Sequence, residues 1–161
     1  MRTSAVLAAQ MVLNAGNEAH KAALIPGVIS GEIILTRARG ERLETASRDG
    51  GLTLSGDSLF VPYAGLATQI ICATHPAIGA SPDTTLVLVD PNADGVTLTA
   101  MESVANYPQF LIDLDDVPLP DDAVLGEIAA GMPALDLAVQ RASLVQLPQT
   151  PGLAQMGLVL T

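Results

Sequence analysis

"LIDLDDVPLPDDAVLGEIAAG" (residues 111–131) carries six carboxylates, Asp113, Asp115, Asp116, Asp121, Asp122 and Glu127, on an otherwise apolar background. Ile112 and Leu114 alternate with Asp113 and Asp115, the period-2 pattern of a strand with one face buried and its acids in water. Val117-Pro118 and Pro120 turn the chain out of that strand, and Asp121-Asp122 suit a turn or a helix start. A calcium loop counted from Asp113 needs Gly at its sixth position and Glu at its twelfth, where the chain has Pro118 and Val124. The acids therefore read as the wet face of a last β-strand and the corner after it.

Working back from this strand, short β-branched runs recur at spacings near ten residues. They are "EIILTRA", "LTLSG", "SLFVPYA", "TQIICAT", "TTLVLVD" and "VTLTAM", separated by Gly, Pro, Asn and Asp clusters. Such spacing predicts a mainly β fold, an antiparallel barrel or sandwich. "RDGG" (48–51) and "DPNADG" (90–95) are turn signals, and "HPAIGASPD" (75–83) reads as a long loop. Asp90, Asn92, Asp94 and Gly95 match half of a calcium loop, but the twelfth position is Met101, so a strand-connecting turn is the better reading.

Helical patterns flank the strands at both ends. "SAVLAAQMVL" (4–13) is rich in helix formers, and Asn17 can cap a short second helix, "EAHKAALI", that Pro26-Gly27 ends. "MPALDLAVQRASLVQL" (132–147) returns to helical spacing, with Pro133 tolerable in a first turn. "GLAQMGLVLT" (152–161) can start another helix. The boundaries suggest a helical segment at 1–30, a β-domain at 31–126 and a helical segment at 127–161.

With 161 residues the chain is long enough for one domain with helical appendages, and its 49% hydrophobic content supplies a core of Ala, Val, Leu and Ile. Seven basic residues against 17 acidic ones give a net charge of -10, which disfavours nucleic acid and anionic membranes as partners. No stretch approaches transmembrane length. The N-terminal "MRTSAVLAAQMVLNAG" mimics a signal peptide, but Gln10 and Asn14 interrupt its apolar run. Cys72, the single cysteine, allows no internal disulfide; a reducing, cytoplasmic compartment and a buried inert thiol are expected. No Gly-Lys pair of a phosphate-binding loop and no Gly-x-Ser-x-Gly occurs. His20 and His75 have no metal-ligand spacing, and His20 is expected on an exposed helix face. Paired aspartates as general acid and base compete with the solvated-strand reading above, which the alternation favours.

The order of the segments carries a resemblance. "LIDLDDVPLPDDAVLGEIAAG" resembles the F-x-V-x-V-P…L-G…G segment of acyl-CoA dehydrogenases. "LVLVDPNADGVTL", "DGGLTLSGDSLFVPYAGLA" and "GNEAHKAALIPGVISGEIILTRA" are similar to three further segments of that family, in the family's order. The resemblance covers nearly the whole chain, and each motif alone is weakly specific. It implies a flavin-facing middle β-barrel between helical domains, FAD as hydride acceptor and α,β-dehydrogenation of an acyl-CoA thioester. It also implies electron-transfer flavoprotein as an acceptor, and homo- or hetero-oligomers.

Mapped onto this sequence, the flavin-facing segments are Ile33, Leu35 and Thr36, and Phe60, Val61 and Pro62. An apolar face packs on the isoalloxazine while backbone N–H groups and a hydroxyl meet its polar edge. The chain departs from the family pattern where T-E-P-x-x-G-S becomes "TRARGER", placing Arg37 at the glutamate. Pro62-Tyr63 replaces Thr-Asn, which removes a hydroxyl and a backbone donor. Arg37, Arg39, Gly40 and Arg42 then either clamp a pyrophosphate or CoA phosphate, or form a solvated loop balanced by Glu41 and Glu44. The family's catalytic glutamate has no counterpart in these 161 residues, so no catalytic residue is assigned. Three readings remain: the β-domain portion of such an enzyme, inactive alone; a non-catalytic β-domain that assembles with an active partner; or an unrelated β-barrel.

Overall fold

The computed structural model describes residues 2–39, 42–48, 51–76, 84–104 and 107–146. Helices α1 (Arg2–Ala15) and α2 (Glu18–Ser30) come first. Strands β1 (Leu35–Ala38), β2 (Leu43–Arg48), β3 (Gly51–Pro62), β4 (Gln69–Pro76) and β5 (Thr85–Val89) follow. The described chain ends with β6 (Val96–Met101), β7 (Gln109–Leu119), β8 (Val124–Leu125) and helix α3 (Met132–Gln146).

Strands β6, β7, β3 and β2 form one sheet, and β1, β4, β5 and β8 form the other. A two-residue parallel pairing, Glu44 with His75 and Thr45 with Pro76, joins β2 to β4 at one corner. No pairing among the described residues joins β6 to β8, so the expected barrel is not closed. The expected antiparallel pattern also gives way twice, because β1 and β2 both pair with β4 in parallel. Parallel neighbours need a crossover, and the β2–β3 hairpin lies between β1 and β4 to supply it.

The two sheets pack face to face through Leu43, Leu54, Val61, Ile70, Cys72, Val87, Ile112, Leu114 and Val117. On the opposite face of the second sheet, Leu35, Ile71, Ala73 and Leu86 meet Ala8, Met11 and Val12 of α1 and Ala138 of α3. Strands β4 and β5 are thus covered on both sides, which is why they read as unbroken apolar runs. In β7, Ile112 and Leu114 are buried while Asp113 and Asp115 face solvent, as the alternation predicts. At Asp116, with a φ of +46°, the phase slips by one residue, so that Asp116 is exposed and Val117 buried. At the 90–95 turn the Asp90 carboxylate accepts the Asn92 N–H at 2.8 Å, and Gly95 takes a φ of +86°.

Four local expectations are corrected. Helix α2 runs through Pro26 to Ser30 and stops at Gly31, whose φ of +85° is a left-handed cap. Pro26 costs the helix a donor and crowds the preceding turn, and packing of Gly27 against Ile33 holds the extra turn. The expected pair "LTLSG" and "SLFVPYA" is one twelve-residue strand, β3, with irregularities against β7 at Leu54/Gly56 and Ser58/Val61. Strand β2, absent from the sequence reading, is held because Leu43 is fully buried and the whole run pairs with β3. His20 is buried rather than exposed. Its Nε2 lies 2.8 Å from the Asp122 carbonyl, and its Nδ1 accepts the Asn17 N–H, so one neutral tautomer satisfies both nitrogens. Among the described residues no helix is long and apolar enough to cross a membrane. Residues 152–161 and most of the 75–83 loop lie outside the described residues.

Candidate functional site

Strand β1 and the end of β3 are separate in sequence and joined by a buried hydrogen bond. The Thr36 hydroxyl donates to the Pro62 carbonyl at 2.6 Å, and Thr36 is 1% exposed. Beyond Pro62 the chain turns, and the Tyr63 N–H donates to the Pro108 carbonyl at 3.0 Å. Pro62 also pairs with Gln109 at the start of β7. These links gather three segments around a cavity of about 420 Å³ lined by Arg37, Arg39, Phe60, Pro62, Tyr107 and Gln109, with Leu7 and Leu59 beside them.

Phe60 sits in the irregular stretch between Ser58 and Val61, at a φ of +57°, and is 55% exposed. A bulky residue in the left-handed region is a strained arrangement that a bulge makes possible. It turns an aromatic ring outward where regular alternation would pair the position with β7. Tyr63, also at +57°, stacks on Tyr107 with ring centroids 5.6 Å apart. The rim is therefore aromatic.

The cationic side comes from Arg37 in β1 and from Arg39 just past its end. Arg37 shares a face with Leu35 by the strand's period of two, and is half-buried. Burial, and then the adjacent Arg39 charge, lowers the Arg37 guanidinium below its ordinary value. Among the described residues the ion pairs are Lys21–Glu18 and Arg42–Asp57, so neither Arg37 nor Arg39 has a carboxylate partner. The Arg39 N–H is anchored on the Ser58 hydroxyl at 3.0 Å, which ties the two segments together a second time. Among the described residues no carboxylate lines the cavity.

Of the residues expected to face a flavin, Phe60 and Pro62 line the cavity. Leu35 and Val61 are core residues at 2% and 1% exposure, and Thr36 spends its hydroxyl on Pro62. Ile33 packs over Gly27 of α2. Of the arginines, Arg37 and Arg39 line the cavity, whereas Arg42 meets Asp57 at 3.4 Å and lines a neighbouring recess with Arg39 and Phe60. Gly40 lies outside the described residues. Leu7, Tyr107 and Gln109 were not anticipated. Leu7 comes from α1, which packs against β1, and Tyr107 and Gln109 come from the approach to and the start of β7, which pairs with β3.

No family model matches the chain, and no curated protein matches it. Solved structures do. A glutaryl-CoA dehydrogenase from Mycobacterium smegmatis in complex with FADH2 aligns at a TM-score of 0.75 and 19% identity, over 85% of this chain and 38% of that one. An acyl-CoA dehydrogenase from Geobacillus kaustophilus aligns at 0.74 and 20% identity, over 81% and 38%. The FAD complex of PigA aligns at 0.77 and 16% identity, over 84% and 39%. The described chain therefore has a fold found in acyl-CoA dehydrogenases, and spans under two-fifths of the length of these neighbours.

Proposed function

We propose that this chain is a member of the acyl-CoA dehydrogenase family and acts as its flavin- and substrate-facing β-domain, with residues 31–126 as that domain and 1–30 and 127–161 as parts of the flanking helical domains. The observation that carries the reading is the Thr36–Pro62 hydrogen bond, which closes the two flavin-facing segments of the family pattern into one cavity. The fold neighbours that include FAD and FADH2 complexes support it.

The cavity fits the ring end of such a cofactor. At about 420 Å³ it is within the usual range for a small-molecule site, and it combines an outward aromatic ring with cations that have no carboxylate partner among the described residues. Phe60 and Pro62 would pack on the ring, and Arg37 and Arg39 would neutralise its anionic groups. Bound FAD supplies hydride acceptance for dehydrogenation of an acyl-CoA thioester. The chain's own residues bind and orient: Phe60 and Tyr107 exclude water from the rim, and the Thr36 hydroxyl holds Pro62 in place. Among the described residues no carboxylate lines the cavity, so in this reading the base for the α-proton would come from outside this wall, the chain being inactive alone and working in a homo- or hetero-oligomer. Electron-transfer flavoprotein is the corresponding acceptor, and the cytoplasm the corresponding compartment.

A second reading is favoured by the placement of Thr36 and Arg37. A hydroxyl bonded inward, and a cation where the family pattern has a glutamate, suit a β-domain kept for assembly with an active partner. One titration separates the two. Under the first reading, purified chain mixed with FAD gives flavin bands that survive desalting near one per chain. A colourless protein after the same treatment overturns it.

A further inference from the structure

A second cavity, of about 340 Å³, lies between helix α2, the turn at 90–95 and the corner after β7, and it shares no described lining residue with the first. Its walls are aliphatic: Ala23 and Leu24 from α2, Leu88 and Val89 from β5, and Val117 and Leu119 from β7. A tertiary bond closes one side, where His20 Nε2 lies 2.8 Å from the Asp122 carbonyl and ties α2 to the corner. The buried imidazole spends its other nitrogen on the Asn17 N–H, so neither nitrogen is left for a ligand. The polar groups that remain include two carboxylates. Asp90 takes the backbone and side-chain N–H groups of Asn92 on Oδ1, which leaves Oδ2 without a donor among the described residues. Asp122 is exposed and joins no ion pair among the described residues. Half-buried Gln69 adds a carboxamide to the lining. Lys21, next to His20 in sequence, is held by Glu18 at 3.0 Å, and no lysine or arginine lines the cavity among the described residues.

Charge decides the ligand. An anion entering here meets two carboxylates in a chain of net charge -10. A neutral apolar molecule covers the walls and leaves the carboxylates without a counter-charge. A ligand with an apolar body and an ammonium head answers both, because the body leaves water while the three ammonium donors stay at the wet rim. We infer that this cavity binds a small primary amine, its hydrocarbon body between α2 and the ends of β5 and β7 and its ammonium at the rim that Asp90 and Asp122 share. A volume of about 340 Å³ is at the small end of ligand sites and suits a body of one ring or a short branched chain. The inference stands on this cavity and not on the flavin reading.

The test titrates the purified chain with 2-phenylethylamine, 2-phenylethanol and 3-phenylpropionate, which share a phenyl body and differ in the charge of the head, and follows binding in 1H–15N spectra. The amine is expected to bind about fivefold tighter than the alcohol, as exposed carboxylates warrant, and the carboxylate more weakly than either. D90N/D122N is expected to bring amine and alcohol to equal affinity. A23F, which puts a ring into the apolar wall, is expected to abolish binding of both; circular dichroism checks the fold of each variant. No saturation by the amine up to about 10 mM, where even a weak ligand of this size fills its site, overturns the inference. Equal affinity for amine and alcohol on the unaltered chain overturns the amine class. A preference that D90N/D122N leaves intact, or amine binding that A23F leaves intact, overturns the placement. FAD is titrated separately, so the flavin reading stands or falls on its own result.

Discussion

Replacing Thr36 with Val deletes a hydroxyl and nearly preserves shape. The hydroxyl is 1% exposed and donates to the Pro62 carbonyl at 2.6 Å, so the variant leaves that carbonyl short of a donor in a place water does not reach. A net hydrogen bond is worth about 1 kcal/mol, and an unsatisfied buried partner costs about 1–3 kcal/mol. The extra methyl offsets part of this, leaving about 2 kcal/mol of destabilisation. For a chain of this size that lowers Tm by about 4–8 °C. Thermal and urea melts of T36V against wild type measure it, with T36S as the control that keeps the hydroxyl. T36S loses one buried methyl and is expected to fall by about 1 kcal/mol. Ligand titration gives a second readout, since Pro62 and Phe60 lose their tether and affinity falls with stability. A T36V melt within about 0.5 kcal/mol of wild type, or a T36S loss as large as that of T36V, refutes the role of the bond.

Arg37→Gln is expected to melt no lower than wild type, because it removes a cation that burial and Arg39 both disfavour; a lower melting point would show that Arg37 braces the fold. Burial pushes the Cys72 thiol up to about 12, from 9.0 for a free thiol. The folded state therefore holds the proton more tightly, so this group's contribution to stability is intact below pH 9 and is lost as pH rises toward 12. Native protein at pH 8 resists iodoacetamide, and the same protein in urea is alkylated, as intact mass shows. Gly56 has a φ of +119° and faces the Arg42 carbonyl, so G56A clashes with backbone and loses about 3 kcal/mol or more in urea melts. His20→Leu removes the bond to the Asp122 carbonyl and half of the α2 capping box, for a loss of about 1–2 kcal/mol in the same assay.

Fold elements were legible wherever burial repeats along the chain. Strand β7 announces itself because Ile112, Leu114 and Val117 face a core while Asp113 and Asp115 face water. Strand β2 was hidden because "LETASR" has one large apolar residue, and its pairing with β3 is long-range information. The end of α2 was misread because Pro26 is a helix breaker by local rules, while the packing of Gly27 against Ile33 is tertiary. His20 was misplaced for the same reason: its partner, Asp122, is 102 residues away.

The sequence by itself determined a mainly β chain with helices at both ends and a core of small aliphatic residues. It did so because period, turn residues and caps are local, and each records which side of the chain meets water. Tertiary structure decided that the sheets stay open between β6 and β8, and that β1 lies parallel to β4. It also decided which arginines share the cavity. Arg37, Arg39 and Arg42 look alike in "TRARGER", yet the first two line the cavity with Tyr107, while the third pairs with Asp57 in a neighbouring recess. Charge is written in the sequence, but the partner that neutralises it, or its lack, is a property of which strands lie side by side.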